Sequence, residues 1–522
     1  MLDLGLFHKS LAFTIFLGLF FICARSLFES KRNKYLPPGP KGIPIFGNFL
    51  QLSKAKAWKV FEQWGKEYGP IVYIETFGQG MLVLNSHKVA SDLLDRRGTN
   101  YCDKPRFIVL NEILTHGLFL PSTSYGDLWR KMRRAHHDSM NKVATRAYDS
   151  IQEREAIIFT ESLLQDSKRW REDVCRGATS AILSAVYDMP PTLSLDNPVV
   201  TKVGEIGEHI GYATYHGNHL VEFFPWMRHL PSAIAGWNLK TEGVFVEFTA
   251  FFKGLLQEVE KRIDEGDQLP GMVGNLIRER ERLGLNNTEE AWLAGSTYLS
   301  GADTTAAALA WPLLALIAYP DKQKKCQEEL DAVIGHARMP TFADMDNLPY
   351  LKATVREALR WRAVTPLALQ HVTLQDDWYE GYFIPKGTVC YANVWSINRD
   401  RAVHGPDADD FNPDRFIGEN GELLPPVADT RDGHLTYGFG LRRCPGRHFA
   451  NNLIFINIAC LLWAATISSV VDKKTGNPVL PDMMGGGDTD WITVWPLSFE
   501  FVVKPRFAEA AALIAETKGS YM

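Results

Sequence analysis

YGFGLRRCPG, Tyr437–Gly446, surrounds a single cysteine with three glycines and two arginines, late in a chain of 522 residues. A buried structural cysteine requires no such surroundings. A thiolate lying against something large, flat and anionic does, because glycines let the backbone come close and arginines supply the opposing charge.

The rest of the composition limits what that thiolate can belong to. A chain of this length buries a large core in one big domain or several ordinary ones. With 46% apolar and 22% charged residues it reads as globular, and a net charge of −5 gives no overall reason to expect nucleic acid. The seven cysteines (Cys23, Cys102, Cys175, Cys326, Cys390, Cys444, Cys460) are odd in number, scattered and never in a CxxC pair. That argues against a disulfide framework and a zinc site, and fits a reducing compartment.

The N-terminus carries a targeting signal, LAFTIFLGLFFICA, Leu11–Ala24. At 14 residues it is short for a full span, and a cleaved signal peptide is the alternative. No small-x-small cleavage pattern follows it. Arg25, Lys31, Arg32 and Lys34 follow instead, outnumbering Lys9 and predicting an uncleaved signal anchor with the downstream chain cytosolic. The stretch LPPGPKGIPIFGN, Leu36–Asn48, excludes helix and central strand through its prolines and reads as a stiff hinge. The expected organisation is therefore an anchor with its basic flank over residues 1–35, a hinge over 36–48 and one catalytic domain over 49–522.

Within that domain the fold class is mainly α with a minor β region. IVYIETFG (Ile71–Gly78) and GMLVLNS (Gly80–Ser86) predict a hairpin. HKVASDLLDRRG, GDLWRKMRRAHHDSM, FVEFTAFFKGLLQEVEKRIDEG and DKQKKCQEELDAVIG repeat apolar residues at helical spacing. The tail after about Val470 reads as β-like pieces. The most informative helix is expected over about Thr288–Tyr319, with Asn287 and Glu290 as a capping box and Pro320 as its stop. Its apolar length admits a second membrane span, but Gly295, Gly301, Asp303, Thr304 and Thr305 cluster halfway along and favour a helix buried through a domain. A Thr304 hydroxyl bonded back to the Ser300 carbonyl would bend it, placing an acid and an alcohol where they can pass protons to a ligand.

Two further pairs are weak alone. Glu357 and Arg360 in VREALRWR share a helical face, as ordinary surface pairs do. Trp129 and Arg133 in WRKMRR can reach one anion together or can sit on an exposed basic helix. Their order along the chain is specific: WxxxR, GADTT, ExxR, PDRF (Pro413–Phe416) and FGxxRCxG. In this set the sequence resembles the cytochrome P-450 family of haem-thiolate monooxygenases, over essentially its whole length. WSINRD, VEFFPWMRHLP and KCQEELDAVIG are most similar to the membrane-bound fungal branch of secondary metabolism, the O-methylsterigmatocystin oxidoreductase group.

The resemblance implies haem b with Cys444 as axial ligand to the iron, and haem propionates held by Trp129, Arg133, His371 and Arg442. Gly438 and Gly440 would turn the backbone beneath the porphyrin, and Gly446 would let the next helix approach. Glu357, Arg360 and Arg415 would form a buried charge network, structural rather than catalytic. Asp303 and Thr304 would deliver protons for oxygen activation, with electrons from NADPH through a separate flavoprotein reductase. Ser296, Leu299, Thr365 and Leu369 would line the pocket of a small organic substrate. Arg130, Lys131 and Arg134 would offer the reductase a basic face. Two residues depart from the pattern: Tyr437 for Phe or Trp, and Ser300 for Ala or Gly.

The implied activity is insertion of one oxygen atom from dioxygen, in the endoplasmic reticulum membrane, single-pass with the catalytic domain cytosolic. A haem-thiolate isomerase, dehydratase or peroxygenase would not need the Asp303–Thr304 pair, and a non-catalytic haem sensor would need neither that pair nor an anchor shared with a reductase. Asn286-Asn287-Thr288 is an acceptor for N-glycosylation only in a lumenal or secreted chain. The cytosolic topology predicts an unmodified chain; a glycosidase-sensitive mass shift at this sequon would reverse it.

Overall fold

The computed structural model describes residues 35–52, 56–214, 219–230, 243–426, 430–483 and 492–521. The apolar run Leu11–Ala24 lies outside the described residues. The strands are β1 (Ile71–Thr76), β2 (Gln79–Leu84), β3 (His371–Val372), β4 (Asp377–Tyr379), β5 (Tyr382–Ile384), β6 (Val389–Ala392), β7 (Ala465–Ser469) and β8 (Phe501–Pro505). β1 and β2 form the expected hairpin, and β2 runs parallel to β6, which pairs antiparallel with β3. β4–β5 and β7–β8 are separate two-stranded ribbons. The rest of the described residues are helical or loop. Residues of the Pro-rich stretch lie along the hairpin: the Tyr73 N–H donates to the Pro38 carbonyl at 2.9 Å and Asn48 N–H to Glu75 at 2.6 Å.

The long helix spans Asn287–Ala318, 32 residues. It is apolar enough to cross a membrane by composition, yet 72% of its most apolar window is buried inside the protein. It packs chiefly on the helix Trp170–Tyr187 and on Val244–Asp264. The glycines that weaken it locally are what let those neighbours in. A Cβ on Gly295 would come within 2.6 Å of the Phe252 ring, and one on Gly301 within 2.9 Å of Ile182.

The capping box sits one residue earlier than expected. Asn286 accepts from the N–H groups of Thr288 and Glu289, and the Glu289 carboxylate accepts the Asn286 N–H at 2.9 Å. The sequence offers N-x-x-E in both registers, and Asn286 has the extended backbone a cap needs (φ −86°, ψ 165°). Glu290 is instead buried, holding Arg280 at 2.7 Å. Thr288→Ala thus removes the sequon without removing the cap. The helix ends at Ala318, and Pro320 serves as the first residue of the next helix, Pro320–Val333, rather than only as a stop. Pro312 lies inside the long helix, leaving one carbonyl without its helical donor. The tail also departs from expectation: beyond the β7–β8 ribbon the chain closes with a helix, Ala510–Tyr521.

Glu357 and Arg360, on the helix Pro349–Trp361, are no surface pair. Both side chains are fully buried, bound through Arg360 Nε to Glu357 Oε2 at 2.6 Å and Nη2 to Oε1 at 2.8 Å. Arg360 also donates to the carbonyls of Asn398, Ala408 and Asp410 at 2.6–2.8 Å. Arg415 reaches Glu357 at 3.1 Å and Asp407 at 3.1 Å. The network continues toward the cysteine. Asn398 accepts the Leu435 N–H at 2.9 Å and donates to Thr436 Oγ1 at 3.0 Å, and that hydroxyl donates to the Leu359 carbonyl at 2.6 Å. Breaking a buried pair by deleting one partner strands the other charge. Glu357→Ala should therefore cost about 3–5 kcal/mol of stability, read as a large fall in the denaturation midpoint; a loss below about 1 kcal/mol, the range of exposed pairs, would contradict this.

Candidate active site

Cys444 follows a tightly folded loop. Its N–H donates to the Tyr437 carbonyl at 2.8 Å. Gly438 (φ +76°) and Gly440 (φ +48°) hold left-handed conformations, and a Cβ on Gly440 would meet the Leu94 carbonyl at 2.3 Å. The Gly440 N–H is fixed by Asp95 at 2.5 Å. Gly446 lines the cavity, and a Cβ there would meet no protein atom within 4 Å. Burial pushes the Cys444 thiol up from its ordinary range, against the pull of the Gly446 N–H and of Arg133, Arg447 and Arg443.

Above the loop lies a cavity of about 700 Å³. At one end it gathers cations. Trp129 and Arg133 come from the helix Asp127–Met140, His371 from β3 and Arg442 from the cysteine loop. The Arg442 guanidinium lies over the Trp129 ring at 4.3 Å and donates from Nε to the Cys102 carbonyl at 2.6 Å. Its Nη1 and Nη2 are buried and bond no atom of the described residues. Arg133 donates to the Arg443 carbonyl. His371 Nδ1 bonds the Tyr101 carbonyl at 2.6 Å. Lys104 joins this group, fully buried, with Nζ donating to the carbonyls of Gln370 and Leu369 at 2.9 and 3.2 Å.

Burial, then the neighbouring cations, depresses them. Arg442 is lowered to about 10 by burial. Lys104 falls well below the ordinary lysine range through burial and then Arg442, and His371 well below the imidazole range through burial and then Lys104. Asp103 offsets part of this charge. Buried cations with open donors are costly until an anion arrives. Two free Nη groups beside an indole and an imidazole suit carboxylates at the edge of a flat ligand lying over a thiolate, so the residues fit haem.

The opposite wall is the long helix. Thr304 Oγ1 donates to the Ser300 carbonyl at 2.5 Å, as the spacing predicts, leaving its oxygen free to accept from the cavity. Asp303, also lining the cavity, accepts from the Trp495 indole at 3.2 Å. Ser296, Leu299, Thr365 and Leu369 all line the cavity, but the Ser296 hydroxyl is engaged by the Leu120 N–H at 3.4 Å. The Tyr437 hydroxyl, an extra polar group in the cysteine loop, finds its partner in Asn451 Oδ1 at 2.6 Å. A second thiol, Cys175, lines the cavity as well, pushed up to about 12 by burial and then by Asp303.

Lys104, Asn398 and Trp495 escaped the sequence reading. Asn398 stands inside the WSINRD stretch and could have been suspected there; Lys104 and Trp495 carry no local signal.

A half-buried thiol beneath a large cavity whose rim is cationic fits a haem-thiolate enzyme. The chain matches the cytochrome P450 family model over residues 37–475. It is 46% identical over 484 residues to a cytochrome P450 monooxygenase of Armillaria gallica, covering 92% of each chain. It is 43% identical to the cytochrome P450 monooxygenase iboC of Amanita muscaria over 98% of each, and 43% identical to cytochrome P450 monooxygenase 58 of Postia placenta over 96% of this chain and 94% of that one. The chain belongs to the cytochrome P450 family, whose members carry haem on a cysteine thiolate, and is a haem-thiolate monooxygenase.

The open Arg442 donors give a direct test. Arg442→Leu should leave the fold intact and speed haem loss to an excess of a haem-scavenging protein by about tenfold, the cost of one charge-assisted hydrogen bond. An unchanged rate would exclude Arg442 from cofactor retention.

Proposed function

We propose that this chain inserts one oxygen atom from dioxygen into a small organic substrate of fungal secondary metabolism, with electrons from NADPH through a separate flavoprotein reductase. The observation that carries this reading is the Thr304 hydroxyl, bonded to the Ser300 carbonyl at 2.5 Å and sharing with Asp303 the cavity that Cys444 floors. Cys444 would hold the haem iron through its thiolate, and Trp129, Arg133, His371, Arg442 and Lys104 would hold the propionates. Bound there, haem supplies the reduction of dioxygen and the oxidising power for transfer to carbon.

The chain's own share is positioning and protons. With its hydrogen committed to the helix, Thr304 Oγ1 accepts from a water and orients it. Asp303 exchanges protons with that water as the titratable member of the pair. Ser300 can hold the same water when Thr304 is lost. Leu299 and Leu369 exclude solvent from the substrate's apolar body, while Thr365 offers a hydroxyl. Glu357, Arg360 and Arg415 touch no substrate and keep the cysteine loop in place.

The apolar run Leu11–Ala24 anchors the protein in the endoplasmic reticulum membrane, with residues 36–48 connecting it to a cytosolic catalytic domain over 49–522. Exposed Ile45, Phe46 and Leu50 support this, as do the ring contacts that run from Phe46 through Phe77 to Phe223 and Phe224, close in sequence to the exposed Trp226. Arg130 is paired with Asp127, so Lys131 and Arg134 carry most of the basic face toward the reductase.

Screening metabolites for a substrate-induced high-spin shift identifies a substrate, and turnover under ¹⁸O₂ should then place one labelled oxygen in the product. Unlabelled product would overturn the proposal. With that substrate, Thr304→Val with Ser300→Ala should keep the thiolate spectrum and substrate binding, while product per NADPH falls about tenfold and hydrogen peroxide rises. Unchanged coupling would mean these hydroxyls only shape the helix.

A further inference from the structure

Asp303 meets a side chain from a distant part of the chain. Trp495 lies in the segment leading to β8, and its indole N–H donates to Asp303 Oδ1 at 3.2 Å. The donor is held rigidly. Its ring is 8% exposed, the preceding Val494 N–H donates to the Val364 carbonyl at 2.8 Å, and the Val494 carbonyl accepts the Trp311 indole at 3.1 Å. The acceptor, by contrast, is an exposed side chain facing open cavity. Over a face of the Trp495 ring the Arg171 guanidinium lies 5.0 Å from the centroid. A cation over the π-face draws electron density from the ring and strengthens the N–H as a donor. Arg171 starts the helix on which Cys175 stands one turn later, and both line the cavity.

A carboxylate on an open wall has several staggered rotamers available and exchanges protons productively from few of them. An indole N–H donates only and cannot itself take up a proton at working pH. A fixed donor of this kind selects a rotamer without competing for the proton.

We propose that Trp495 is a positioning residue for Asp303: its N–H, backed by Arg171, fixes the carboxylate in the orientation from which it serves the water held by Thr304. This rests on the relay role assigned to Asp303 above. Trp495 acts through Asp303 and is not itself a catalytic residue.

Trp495→Phe keeps an aromatic ring beneath Arg171 and removes only the donor and one ring. The first readout is independent of turnover. In the diamagnetic ferrous carbon monoxide form of the full chain labelled at indole nitrogen, the Trp495 signal is assigned by its disappearance in Trp495→Phe. It should move upfield in Asp303→Asn, where a neutral amide replaces the charged acceptor. A signal that does not move overturns the proposal. The second readout is kinetic. Trp495→Phe should lower kcat about fivefold with KM unchanged, the worth of one partly solvated hydrogen bond. In the Asp303→Asn background the same change should cost nothing further. A raised KM at intact kcat, or an equal loss in both backgrounds, would make Trp495 merely a wall of the pocket and overturn the proposal. If Asp303→Asn alone turns over like the parent chain, the relay role fails, while the indole shift still decides whether the bond that fixes Asp303 exists.

Discussion

The buried pair of Glu357 and Arg360 is the constraint on which the rest of the site depends. Two charges taken out of water hold together only if every remaining donor and acceptor is satisfied. Here Arg360 spends its other donors on three backbone carbonyls, and Glu357 accepts from Arg415 and from the Asn412 N–H at 2.7 Å. The segments that must supply those groups are therefore pinned to one helix. Asn398 passes that restraint to Leu435 and Thr436, immediately before the loop that carries Cys444. The loop that carries Cys444 is thus located by a charge network whose members do not line the cavity.

The cavity brings two chemistries together. Below, a thiol sits where burial discourages ionisation; at the rim, Arg442 keeps two unpartnered nitrogens beside Lys104 and Arg133. The orphaned donors are costly without an anion, and a bound group with anionic edges and a cationic centre would satisfy them while favouring the thiolate. The long helix supplies the opposite face, where glycines buy close packing and Thr304 and Asp303 occupy the wall that this packing leaves open.

Much of this was legible in the sequence wherever chemistry is local. The cysteine loop, the back-bonded threonine, the hairpin and the long helix announce themselves through spacing and residue type. The capping box slipped by one residue because Asn286 and Asn287 offer the same pattern, and only backbone geometry separates them. Glu357 and Arg360 illustrate the opposite limit: i,i+3 spacing describes a face, and nothing local says that the face is buried. Trp495 and Lys104 were invisible for a related reason, since each acquires its meaning from a partner about 190 or 270 residues away in the chain.

The central claim is that Cys444, and no other cavity thiol, forms the cofactor's thiolate bond. The most direct measurement is the absorption spectrum of the reduced carbon monoxide complex for the parent chain and for Cys444→Ser. The account predicts the red-shifted Soret band of thiolate ligation in the parent and its loss in the variant. Retention of that band in Cys444→Ser would transfer the ligand to Cys175 and contradict the account.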